Sequence, residues 1–379
     1  MNGSLVNSAA IGGRPTSDRR VETVRVGAYT VPTEAPESDG TLKWEATTIV
    51  IVEVSSGSTT GLGYTYAAPA AAGVVTDTLS DVVTGCDPMA TGAMWATMVH
   101  AIRNQGRPGV VSSAISAVDI ALWDLKAKLL GLSVADTIGR THDVVPVYGS
   151  GGFTSLSDAE LAEQLGGWAA QGLRAVKMKV GRDGAADPHR ADVARGAIGD
   201  DVELFVDANG AYTRKQAMQL ADEFAGRGVR WFEEPVSSDD LSGLRLLRDR
   251  APAGIDITAG EYGYDLPYFR NMLAAGAVDC LQADVTRCGG ITAFLRVGAL
   301  ADAECIDVSS HCAPQVSAHA CAGLWHLRHL EYFADHIRLE AMLFDGVLEP
   351  SDGALRPDPG RPGLGIEFKR SDAERFQVR

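Results

Sequence analysis

ELFVDANGAYTRKQAMQLADEFAGRGVRWFEEP, residues 203–235, reads as one full period of an alternating architecture. ELFVDAN is a short apolar run that ends in an acid and an amide. RKQAMQLADEFAGRG carries apolar residues at helical spacing, and RWFEEP is a second short run, ending in two acids. A strand, a helix and a strand of these lengths form a crossover unit, which makes the two strands parallel. The pattern recurs on both sides. VPVYGS, AVKMKV, DITAGE, CLQADV and IDVSSH are further strand candidates, with helices such as DAELAEQLGGWAAQG and LPYFRNMLAAGA between them. Seven such strands between Val145 and His311, all ending in polar or acidic residues, favour a closed barrel over an open sheet.

Upstream, the pattern is different. VETVRVGAYTV and ATTIVIVEVSS alternate as strands around a polar loop, PTEAPESDGTLKW (32–44). A Gly/Tyr-rich loop, SSGSTTGLGYTYAAPAA (55–71), follows, and residues 71–140 then carry apolar residues at helical spacing. Residues 19–144 therefore read as an α+β capping domain and 145–345 as the barrel. The Gly/Pro-rich segment 346–379 returns to the first domain, and residues 1–18 form a loose tail.

A chain of 379 residues with 45% apolar content can bury a large core. Its net charge of −15 argues against a nucleic-acid partner, which calls for a basic stripe. The six cysteines include no C-x-x-C pair and imply no disulfide framework. His311, Cys312, His319 and Cys321 fall close together, but their spacing matches no familiar zinc knuckle. The first eighteen residues hold no apolar signal segment, and no run approaches the ~18 apolar residues of a membrane span. The expectation is a cytoplasmic protein with no membrane partner.

The chemistry lies at the strand ends. In order they carry Lys177 and Lys179, Asp207 with Asn209, Glu233, Glu261, Asp284 and His311, and from Asp207 onward the steps of 23 to 28 residues each equal one strand–helix unit. In a βα barrel the C-terminal strand ends converge on one face. An isolated acid there is ordinarily a helix cap or a salt-bridge partner. Three in register repel one another unless a cation lies between them, and oxygen donors suit Mg²⁺. Strand alternation allows only one of Glu233 and Glu234 to face inward, without saying which. Lys179 stands on one flank of the acids and His311 on the other, with Asp284 placed to orient the imidazole. Lys177 and Lys179 share a face, where each amine should lower the pKa of the other. Such a set suits removal of a proton next to a carboxylate, with the metal stabilising the enediolate.

KMK, VDAN, FEEP, AGE, QAD and SSH, in this order and at these separations, resemble the enolase superfamily and specifically its mandelate racemase subgroup, the mandelate racemase/muconate lactonizing enzyme-like proteins. The resemblance spans nearly the whole chain. It implies an α/β fold, a modified TIM barrel of (β/α)7β type beneath an α+β cap. It also implies Mg²⁺ held by Asp207, Glu233 and Glu261, which selects Glu233 over Glu234. Lys179 then resembles one base, and His311 paired with Asp284 the base on the opposite face. Lys177 resembles the residue that binds the substrate carboxylate and tunes Lys179. Glu331, in HLEYF, resembles the acid that hydrogen-bonds the enediolate oxygen, although its own sequence context reads as surface. Asn209 resembles a residue behind the metal ligands or touching substrate.

A shared first step does not fix the product. The polar loop 33–44, with Trp44 its one aromatic, suits a polyol better than a phenyl ring. The leading expectation is therefore a hydro-lyase that dehydrates an acid sugar, an aldonate or aldarate, to a 2-keto-3-deoxy acid. The alternatives are a racemase or epimerase of a 2-hydroxy acid and, in another class, a non-catalytic Mg²⁺-dependent sugar-acid binding protein. Tyr262, Tyr264 and Arg287 are placed either to line the pocket or to serve structure. A homo-oligomer is expected from the resemblance.

Overall fold

The computed structural model describes residues 19–379; the tail expected at 1–18 lies outside them. Three antiparallel strands, β1 (Thr23–Ser38), β2 (Lys43–Ser56) and β3 (Thr59–Tyr66), open the chain in the order β1-β2-β3. The expected loop at 32–44 is largely strand. β1 and β2 pair as far as Ser38↔Lys43, with a shift of register between Pro32 and Glu37. Proline cannot donate to the ladder, so the chain absorbs Pro32 in this irregularity and then resumes pairing. Only residues 39–42 turn, held by Asp39, whose Oδ1 accepts the Thr41 and Leu42 amides at 2.6 Å each. The hairpin tip is also tied to the barrel loops. Thr154 Oγ1 donates to Asp39 O (2.9 Å) and Arg182 to Leu42 O (2.9 Å).

β3 corrects the second loop expectation. Its glycines suggest flexibility, yet they serve close packing. A Cβ at Gly61 would sit 2.2 Å from Ala121 O, and one at Gly63 2.2 Å from Ala117 O. Both carbonyls belong to helix α1 (Val110–Leu130), which lies directly on the strand. Glycine in a strand interior commonly marks such an approach.

Eight parallel strands then close a barrel: β4 (Val145–Gly151), β5 (Ala175–Lys179), β6 (Glu203–Asp207), β7 (Val229–Glu233), β8 (Asp256–Ala259), β9 (Cys280–Ala283), β10 (Asp307–Ser310) and β11 (Leu327–Phe333). Seven helices, from Asp158–Ala170 to Pro314–Cys321, cross over between successive strands. β11 is the strand that the sequence reading did not single out. It pairs with β10 on one side and with β4 on the other, Glu331 opposite Tyr148, and so removes the last open edge. A further helix, Ala334–Leu343, leans against the cap, where Tyr64 Oη donates to Glu340 (2.6 Å) and Tyr66 stacks on His336.

Inside the barrel, Tyr148, Phe205, Trp231 and His329 make ring contacts with one another and form an aromatic floor. The period-two alternation of each strand places the next inward residue one layer higher. Lys177, Asp207, Glu233 and Glu331 therefore form a polar layer above the floor. The last residues of the chain run back to the first sheet, with the Arg379 carbonyl accepting from the Ala28 amide (2.9 Å) and Arg370 paired with Glu53. Among the described residues, no helix is long and apolar enough to cross a membrane.

Candidate active site

β5 places Lys177 and Lys179 on the inner face, as period two requires. Lys177 is fully buried, and its Nζ lies 2.6 Å from Glu233 Oε2 and 2.8 Å from Glu331 Oε1. It does not reach the cavity wall. Both of its close partners are protein acids. The expected lowering of Lys179 by Lys177 is present but is outweighed by nearby acids. Burial opposes the Lys177 charge, but Glu233, Glu331 and Asp207 outweigh it and raise its pKa. Lys179 likewise resists desolvation yet is held protonated, chiefly by Asp207, which it contacts directly. Unlike Lys177, Lys179 opens onto the cavity.

The three acids at the ends of β6, β7 and β8 converge. Ligand oxygens of Asp207, Glu233 and Glu261 all lie within 4.8 Å of one another, and the residues are buried. Glu233 Oε2 is occupied by Lys177 and by Trp231 Nε1 (2.9 Å), while Oε1 has no partner. Glu261 Oε2 makes no hydrogen bond either, although His311 Nε2 lies 3.3 Å away. Buried carboxylate oxygens without partners are costly, and a hard cation is what an all-oxygen set of this kind accommodates. The residues present therefore fit Mg²⁺. In the bare site, burial and the Asp207 charge push Glu233 up to about 7.

Glu234 departs from the alternation argument. The strand ends at Glu233 and Glu234 takes φ +38°, so it too is buried, with Oε1 unpartnered. Its neighbours Glu261, Asp207 and Glu233 join burial in raising its pKa well above the usual range. The EEP doublet was the signal, but a strand-only reading forces one acid outward. Asn209 also lies in the left-handed region, at φ +45°, donates its amide to Asp207 Oδ1 (2.8 Å) and lines the cavity. Non-glycine residues held in this region concentrate at functional sites.

On the far flank, His311 Nδ1 donates to Asp284 Oδ2 at 2.7 Å. Asp284 is fixed in turn by the Thr286 amide (2.6 Å) and hydroxyl (2.7 Å). This bond leaves Nε2 facing the cavity, 3.3 Å from Glu261 Oε2 and 3.6 Å from Glu331 Oε2. Burial works against an imidazolium here, but Glu261 and Glu331 overcome it and raise the His311 pKa.

Glu331 is fully buried, which corrects the surface reading. The polar sequence of β11 reflects a polar barrel interior rather than solvent. Its Oε1 takes Ser150 Oγ (2.5 Å) and Lys177, and its Oε2 takes the Cys312 amide (3.2 Å). Burial would raise its pKa, yet Lys177 and His311 hold it well below the carboxylate range.

Of these groups, Lys179, Asn209, Glu261, His311 and Glu331 line a cavity of about 370 Å³ between barrel and cap. The cap contributes Asp39, Trp44, Thr47 and Thr48, and Thr47 also bonds Asp335. Tyr262 and Arg287 line the cavity, whereas Tyr264 lies off its wall, with its carbonyl accepting from Ser112 Oγ (2.7 Å). Asp39, Thr47 and Asp335 escaped the sequence reading because no local pattern marks them. Of His311, Cys312, His319 and Cys321, the first two group with Glu331, and His319 and Cys321 join no such group among the described residues.

Comparison with known proteins agrees with this geometry. Residues 23–139 match the mandelate racemase/muconate lactonizing enzyme N-terminal domain, and residues 159–373 match the enolase C-terminal domain-like family. A 3,6-anhydro-alpha-L-galactonate cycloisomerase of Streptomyces coelicolor is 36% identical over 92% of this chain and 98% of its own. The crystal structure of a mandelate racemase/muconate lactonizing enzyme-like protein from Rubrobacter xylanophilus superposes with TM-score 0.93. It is 58% identical and covers 95% of this chain and 100% of its own. An L-talarate dehydratase from a Polaromonas species, complexed with Mg and L-glucarate, gives TM-score 0.87 at 28% identity, over 96% and 98% of the two chains.

Proposed function

The chain belongs to the mandelate racemase/muconate lactonizing enzyme family of the enolase superfamily, and on that premise we propose that it is a Mg²⁺-dependent enzyme eliminating an oxygen β to the carboxylate of an acid sugar. One observation carries the reading: Lys179 and His311, from β5 and the end of β10, open onto the same cavity as Glu261, a member of the buried trio Asp207, Glu233 and Glu261. Asp207, Glu233 and Glu261 would hold the ion. When bound, Mg²⁺ neutralises the acids that hold Lys179 protonated and stabilises negative charge developing on the substrate carboxylate.

The residues of this chain then divide the work. One base, Lys179 or His311 according to the configuration of the α-carbon, removes the α-proton. Asp284 keeps His311 Nδ1 protonated, so that proton transfer passes through Nε2. The imidazolium delivers a proton to the departing β-oxygen as the carbon–oxygen bond breaks. The enol that remains tautomerises to a 2-keto-3-deoxy acid, and water is released. Glu331 donates to the enediolate oxygen only when protonated, and its 3.6 Å approach to His311 Nε2 gives that proton a route. Asp39, Thr47, Thr48 and Asn209 offer a polyol hydrogen-bond partners along the cavity. Lys177 acts as counter-ion to Glu233 and Glu331.

A second reading follows from the cycloisomerase relative. In a 3,6-anhydro acid sugar the β-oxygen is part of a ring, so the same elimination opens the ring and yields an isomer instead of releasing water. A panel of aldonic, aldaric and anhydro-sugar acids incubated with protein and Mg²⁺ in D₂O distinguishes these outcomes. A semicarbazide-reactive keto acid from an open-chain acid supports dehydration, and one from a ring form supports ring opening. Inversion or exchange at the α-carbon without keto acid would overturn both in favour of a racemase. Binding without exchange across the panel would leave a sugar-acid binding protein.

A further inference from the structure

Cys312 has no part in the elimination, yet its side chain opens into the same cavity. Its Sγ lies 3.3 Å from His311 Nε2 and 3.3 Å from Glu331 Oε2, and the latter two atoms are 3.6 Å apart. A tetrahedral zinc ion with bonds of about 2.0–2.3 Å to nitrogen, oxygen and sulfur has ligand–ligand edges of roughly 3.3–3.6 Å. The three donors already stand at that separation.

Three further features agree. His311, Cys312 and Glu331 are all buried, so a ligand set would be shielded from bulk water. The Asp284 carboxylate accepts from the remote ring nitrogen of His311, the arrangement that orients metal-bound histidines. Cys312 and Ala313 are consecutive non-glycine residues in the left-handed region, at φ +49° and +45°. This turn aims the Cys312 sulfur back at the imidazole instead of into the core.

We propose that His311, Cys312 and Glu331 form a second metal site, suited to Zn²⁺ over Mg²⁺, whose occupation removes His311 from proton transfer. Softness separates the two sites: thiolate and imidazole select zinc, whereas the all-oxygen trio of Asp207, Glu233 and Glu261 selects a hard ion. Binding breaks the Cys312 S–H bond, releases its proton to solvent and forms a sulfur–zinc bond, with no change of oxidation state. The zinc ion takes up the Nε2 lone pair that would otherwise receive the substrate proton. The site rests on donor positions, and only its effect on proton transfer rests on the proposed role of His311, so failure of the site would leave the proposed elimination standing.

The test uses full-length protein in excess Mg²⁺, titrated with Zn²⁺ by calorimetry in two buffers of different ionisation enthalpy. Co²⁺ replaces Zn²⁺ for absorption spectra. Expected are one Zn²⁺ per chain with proton release, a thiolate-to-cobalt band in the near ultraviolet, and affinity about tenfold or more weaker in Cys312→Ala, which also loses the band. Unchanged Zn²⁺ affinity in Cys312→Ala, or release of the Zn²⁺ by Mg²⁺ alone, would place zinc at the acid trio and overturn the proposal. Should that variant fail to fold, the wild-type cobalt spectrum decides, and absence of the thiolate band refutes the site.

Discussion

Replacing Lys177 by Met tests whether this residue neutralises the interior or binds substrate. Met nearly preserves volume and removes the charge. Two carboxylates, at 2.6 and 2.8 Å, lose their cation in a wholly buried setting. Breaking a buried ion pair from one side costs about 3–5 kcal/mol, because the abandoned charge cannot reach water. With a urea dependence of about 3 kcal/mol per molar, that is a fall of about 1–1.7 M in the midpoint of the transition that reports on the barrel. The assay is urea unfolding of the metal-free protein, followed by Trp fluorescence, since Trp231 lies in the floor beneath the lysine and bonds the same Glu233 oxygen. Proton uptake by Glu233 or Glu331 would soften the loss at low pH, so the deficit should shrink between pH 7 and pH 5. A midpoint within about 0.3 M of wild type, accompanied by a raised KM alone, would refute the reasoning and return Lys177 to the role of substrate contact.

Other consequences are equally direct. Gly63→Ala would place a Cβ 2.2 Å from Ala117 O and 2.4 Å from Ala121 N, so α1 must lift from β3. Overpacking of this kind costs about 1–3 kcal/mol, read as a lowered Tm. Burial depresses the His319 pKa to about 4. Above about pH 6.5 the folded and unfolded imidazoles are both neutral and the contribution is complete. As pH falls towards 4 only the unfolded chain gains the proton, and up to about 3 kcal/mol is lost. His319→Asn should flatten the pH dependence of the urea midpoint across that window. Lys179→Ala and His311→Asn should each abolish α-proton exchange in D₂O for one configuration of substrate, and an exchange-competent double variant would show that neither is the base.

The barrel was legible because its strand ends carry acids at one-unit intervals, and a parallel barrel converts that interval into proximity. Spacing alone points to acids at 207, 233 or 234, and 261, and the family resemblance selects Glu233. What was hidden obeys other physics. Glu234 turns inward because the backbone leaves the strand at that residue, and alternation cannot anticipate a left-handed φ. β3 was obscured by Gly61 and Gly63, whose reason is a helix remote in sequence. β11 was obscured because its inward residues, His329 and Glu331, are polar, and a polar interior looks like surface until its cation is known. Lys177 illustrates the same limit. Two neighbouring amines suggest mutual repulsion when read alone, and the acids that reverse the sign come from β7 and β11.

The hairpin tip of β1 and β2 reaches over the cavity while being fastened to the barrel loops through Asp39 and Leu42. Under the proposed function, the hairpin would meet the distal end of a substrate, while Lys179 and His311 belong to the barrel. The ties at Asp39 and Leu42 run through backbone carbonyls, so the Leu42 side chain can be exchanged without breaking them, whereas Asp39 holds the turn and Thr47 is bound to Asp335.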